Sequence, residues 1–92
     1  MPIVSRTEFE AVLAHVCIKL DKVIYERGGG PAIEDARRTI ALLGQFSKDP
    51  VKLKSLRPKL ELASEVVANE IASDEKLREG LWDCLDYLDY RV

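Results

Sequence analysis

Apolar residues recur at steps of three and four along nearly the whole chain, and only three short stretches rich in glycine, proline or capping residues interrupt them. That period is helical, because 3.6 residues per turn bring positions three and four apart onto one face. No segment alternates apolar and polar residues for long enough to make a strand, and there is no internal repeat or low-complexity run. The pattern therefore predicts an all-α fold, a small antiparallel helical bundle of four helices with short connections.

The first stripe has the clearest start. Ser5 followed three places on by Glu8 forms a capping-box pattern, and Val4 and Phe9 stand at the two positions of a hydrophobic staple. Phe9, Leu13, Val16, Leu20 and Val23 carry the stripe, with Val12, Cys17 and Ile24 widening it. A helix is expected from about Arg6 to Arg27, ended by Gly28, Gly29 and Gly30. Pro31 suits the first position of a second helix, where its missing N–H would have had no acceptor. Ile33, Ala36, Ile40, Leu43 and Phe46 supply that helix's apolar face, and their spacing carries it through Gly44. Asp49 and Pro50 read as the cap and first residue of the next segment.

Leu53, Leu56, Leu60, Ala63, Val67 and Ile71 keep the helical period, yet Pro58 falls among them. Proline removes a backbone donor and its ring crowds the carbonyl four residues earlier. The expectation is a Pro-broken third segment: a helical turn from Pro50 to Leu56, then a longer helix from Pro58 to Ala72. Ser73 followed by Asp74 and Glu75 predicts a new cap. Leu77, Leu81, Cys84, Leu85 and Leu88 line the core side of the last helix, which runs to about Tyr90 with Gly80 a weak point. A rival reading fuses the last two helices into one of about 50 Å, which would overhang the rest. The break is preferred.

The 92 residues read as a single domain over 1–92. A chain this short buries only about 60–65% of its unfolded surface, so the core is modest and association would relieve it. A hydrophobic share of 47% with 33% charged residues excludes disordered and fibrous classes. Arg6, Glu8, Glu10 and Lys19 interrupt every apolar run near the start, so no signal peptide is expected, and no segment approaches the roughly 20 apolar residues of a membrane span. Cys17 and Cys84 are too few and too far apart for a disulfide framework or zinc site, and a cytoplasmic setting is the expectation.

Catalytic constellations fail on spacing. His15 is the only histidine, and Cys17 two residues on lies on nearly the opposite helix face. Val12 stands three places before His15, where a di-iron bundle needs Glu. The Gly28–Pro31 stretch follows a helix and no Gly-Lys-Ser/Thr follows it, so it meets neither phosphate-loop nor dinucleotide patterns. Asp83, Asp86 and Asp89 make a ridge, whereas hard cations take oxygens converging from a loop. No enzyme, metal or cofactor is expected. Cys17 and Cys84 read as small buried hydrophobes, with a redox pair across the bundle as the alternative.

Charge and aromatics gather at the end. From Glu61 to Val92 there are nine acids against three bases, together with Trp82, Tyr87 and Tyr90. From Lys48 to Lys59 there are five bases against one acid. Within that basic run Lys52, Lys54, Arg57 and Lys59 are the candidate nucleic-acid contacts. The run lacks an aromatic residue, its charges do not share one helical face, and the chain's pI is near 5.4, so pairing with the acidic last helix is the preferred reading.

On a wheel with Leu81 at zero, Glu79, Asp83, Asp86 and Tyr90 fall between about 140° and 200°, with Trp82 near about 100° and Tyr87 near about 240°. Carboxylates steer a basic partner and rigid aromatics supply contact area. The residues expected to bind a partner are therefore Glu79, Trp82, Asp83, Asp86, Tyr87 and Tyr90. The partner would be another protein with a basic surface, as for an inhibitor, immunity protein or adaptor. A structural subunit or homodimer, burying the wide stripe of the first helix against a copy, is the alternative. A nucleic-acid accessory role stands third.

Overall fold

A computed structural model describes residues 3–71 and 73–92. Four helices follow one another: α1 Arg6–Arg27, α2 Pro31–Gln45, α3 Pro50–Glu70 and α4 Glu75–Tyr90. Each packs against its neighbours in sequence, and α4 closes the ring on α1. The longest dimension is 34 Å. That is the length of α1 itself, about 33 Å for 22 residues. The all-α antiparallel bundle read from the sequence is thus the fold, and the fused 50 Å helix does not form.

Local chemistry explains the boundaries. The Ser5 hydroxyl accepts from the Glu8 N–H at 3.2 Å, as the capping pattern predicts. The staple is different: Phe9 is fully buried but Val4 is 53% exposed, and Ile3 enters the core in its place. Gly28 ends α1 at φ 72°, a conformation that strains any residue with a Cβ. Pro31 opens α2, which continues through Gly44 to Gln45. Asp49 caps α3 by accepting from the Lys52 N–H at 3.1 Å.

The expected break before Pro58 is absent, and α3 is continuous with Pro58 inside it. Without a proline N–H, the Lys54 carbonyl loses its partner four residues on. Lys54 and Pro58 both lie on the exposed side, where solvent lowers the cost of an unpaired carbonyl. Leu53, Leu56 and Leu60 are buried on the opposite side. Each such side chain contributes about 1.5–3 kcal/mol, so together they outweigh the roughly 3 kcal/mol of an interior proline.

α3 stops at Glu70, and the expected helix end at Ala72 lies outside the described residues. The cap of α4 is Asp74 rather than Ser73. Its carboxylate accepts from the Leu77 N–H at 3.0 Å and from the Lys19 ammonium at 2.9 Å, so one residue both starts α4 and ties it to α1. Two bidentate pairs close other seams: Arg37 with Asp21 between α2 and α1, and Arg57 with Asp89 between α3 and α4. The core between them is built from Phe9, Leu20, Ile40, Leu43, Leu60 and Leu81, all fully buried.

Candidate functional site

α4 divides its large side chains between two faces. Leu77, Leu81, Cys84 and Leu88 are buried, and Leu85 packs against the core's edge. Trp82 is 61% exposed and Tyr90 is 82% exposed. Asp86 stands between those rings at steps of four, and Glu79 one turn before Trp82, both exposed. Neither Glu79 nor Asp86 has an ion-pair partner among the described residues. Asp83 is half-buried at the edge of this row.

Tyr87 is the residue that the structure removes from the expected surface. It is only 8% exposed, and its ring stacks on Phe9 of α1 with centroids 4.4 Å apart and planes 20° from parallel. A ring buried in this way offers a protein partner little contact area on the outer face of α4, and it contributes to the α1–α4 seam. Glu75, read in the sequence only as a capping acid, is exposed and extends the row by one turn. The steps of four, three, four and four through Glu75, Glu79, Trp82, Asp86 and Tyr90 were the signal for it.

The acidic tail of the sequence is therefore not one surface. Asp89 belongs to the α3–α4 seam, where the Arg57 guanidinium holds its carboxyl below the usual range and is itself pushed up. Arg57 also pairs with Glu61 on its own helix. The Lys52 ammonium lies 5.2 Å from the centre of the Phe46 ring, toward α2. Lys59 borders a shallow groove of about 470 Å³ between α2 and α3, floored by Ala36, Ala63 and Val66. Of the four cations expected to contact nucleic acid, Lys52 and Lys59 thus lie toward α2 and Arg57 toward α4, where it is committed within the fold.

The remaining chemical groups are dispersed. His15 is exposed on α1. Cys84 is buried and its thiol is pushed up to about 12, chiefly by desolvation; Cys17 is half-buried and raised for the same first reason. Both thiols are free, and no group of three or more His, Cys, Asp or Glu that could hold a metal ion occurs among the described residues. At the start of α2, the Glu34 side chain folds back so closely that a Cβ on Gly29 would lie 3.2 Å from it, which brings a carboxylate close to the glycine stretch. No helix among the described residues is long and apolar enough to cross a membrane.

The molecule is an up-and-down four-helix bundle with a single acidic and aromatic row on its last helix. Comparison with protein-family models, with curated proteins and with solved structures finds no match to this chain.

Proposed function

We infer that the protein is a non-enzymatic binding domain whose outer α4 face engages a basic surface of another protein, in the manner of an inhibitor, immunity protein or adaptor. The observation that carries this reading is the exposure of Trp82 and Tyr90 in one row with the unpaired Glu79 and Asp86, on a helix whose other large side chains are buried or pack on the core. Trp and Tyr dominate the energetics of interface centres, and flanking carboxylates raise the encounter rate with a cationic partner. Glu75 and Asp83 flank the row, while Tyr87 and Asp89 are excluded from it by their internal roles.

The test is partner capture with wild type and with Trp82→Ala plus Asp86→Lys, the eluted proteins being quantified. Specific loss of one partner from the variant is the expected result; equal recovery of the same partner by both counts against the reading. The homodimer alternative has less support. Val12 and Cys17, which widen the first stripe, pack against the core of their own chain, so that part of the stripe is already occupied.

A further inference from the structure

At the end of the bundle where α1 and α3 begin and α4 finishes, a cleft of about 210 Å³ brings together residues from three separate stretches of the sequence. Arg6 comes from the first turn of α1, Ser47 and Lys48 from the α2–α3 turn, and Tyr87 and Arg91 from the end of α4, with Leu53 behind them. Three cations thus border one small cleft, and no acidic side chain lines it. Lys48 and Arg91 have no ion-pair partner among the described residues, and Arg6 has only a long 3.7 Å contact with Glu10. The acid next in sequence, Asp49, is turned to the Lys52 N–H as a helix cap.

The second observation is independent of charge. Ser47 is 7% exposed and Tyr87 is 8% exposed, and neither hydroxyl has a hydrogen-bond partner among the described residues. Neither oxygen is sealed from solvent either, since the one fully buried, unpartnered side-chain atom found there is Arg78 Nε. Buried hydroxyls are normally satisfied, and both of these residues line the cleft. Two hydroxyls that donate, bordered by three cations that donate, form a set with many donors and no acidic side chain, which is the complement of a tetrahedral oxyanion.

We propose that this cleft binds a phosphoryl group, with Arg6, Lys48 and Arg91 as its charge partners and the Ser47 and Tyr87 hydroxyls as its inner donors. The burial that removes Tyr87 from the α4 face gives it this second position: its ring stacks on Phe9 while the residue also walls the cleft. The proposal is independent of the α4 reading, because Trp82, Asp86 and Tyr90 do not line the cleft.

The experiment is an amide NMR titration of the whole protein with inorganic phosphate, with phenyl phosphate, and with chloride at matched ionic strength. Saturable shifts centred on Ser47, Lys48 and Arg91 with phosphate but not with chloride are expected. Lys48→Gln and Arg91→Gln should each weaken binding by about tenfold, the loss of one charge-assisted hydrogen bond. Tyr87→Phe, which keeps the ring on Phe9, should weaken it less, and Lys54→Gln should leave it unchanged. Tighter binding of phenyl phosphate assigns the site to a phosphoryl group carried on a larger molecule; equal or weaker binding assigns it to the free anion. Shifts that do not saturate, that chloride reproduces, or that survive both charge-removing substitutions overturn the proposal.

Discussion

Trp82 and Tyr87 stand five residues apart on one helix and meet opposite fates. Tyr87 turns toward α1 and stacks on Phe9, whereas Trp82 stays 61% exposed. The difference lies in what the neighbouring helix offers. α1 presents an aromatic face, so burial gains area and a ring contact. Trp82 has no ring partner among the described residues and stays open to solvent. One face of α4 thus carries stability, and the other is left available for recognition.

Substitution should separate the two faces by free energy. Leu81→Ala and Tyr87→Ala each empty a fully or nearly fully buried site and should cost about 2–5 kcal/mol, read by denaturant unfolding. Trp82→Ala should stay within about 0.5 kcal/mol of wild type in the same assay, as surface changes do. A Trp82 variant as unstable as the Tyr87 one would erase the distinction.

The same asymmetry operates in α3, where Pro58 lies on the exposed side of a helix held by buried leucines. Pro58→Ala restores the missing donor, offset by greater freedom of the unfolded chain, and should raise stability by about 1–2 kcal/mol. A loss of stability would mean that the proline is structurally required rather than tolerated.

Asp74 sharpens the comparison at the start of α4, and its replacement by Ala should cost about 1 kcal/mol through the lost cap. Its carboxyl is held low, first by the Lys19 hydrogen bond and then by the Leu77 N–H; Asp21 and Asp89 are held low by their arginines. A group with a depressed folded pKa stabilises fully above its unfolded value, about 3.9, and loses that contribution as pH falls through the folded value. Stability should therefore be level above about pH 4 with respect to these three groups and fall below it. In Asp74→Ala that acid-side fall should be shallower.

The smallest expected effect is a rate. Burial and a thiol pushed up to about 12 should keep Cys84 unreactive toward a thiol reagent at neutral pH until the bundle unfolds, with half-buried Cys17 modified first. Rapid native labelling of Cys84, or an internal disulfide on mild oxidation, would show that the inner face of α4 opens.

How much of this was legible varies with distance along the chain. Ser5, Gly28, Pro31 and Asp49 act within a few residues of themselves, and the sequence pattern placed all four. Pro58 misled because a local rule met a tertiary one: the cost of a missing donor was plain, but the leucines that outweigh it count only once α2 and α4 cover them. The helical wheel correctly set Tyr87 at a border, yet which border is buried depends on which helix lies beside it. Arg6, Lys48 and Arg91 share no motif at all, and only the up-and-down topology brings them to one end.

In the proposed division of α4, its outer face binds a partner without supporting the fold. Measuring thermal unfolding and quantitative partner capture together on Trp82→Ala plus Asp86→Lys tests it most directly. A melting temperature close to wild type and at least about a tenfold loss of one captured partner are expected, since a single interface hot spot is worth about 2 kcal/mol or more. A variant that melts normally and recovers the same partner in full would contradict it.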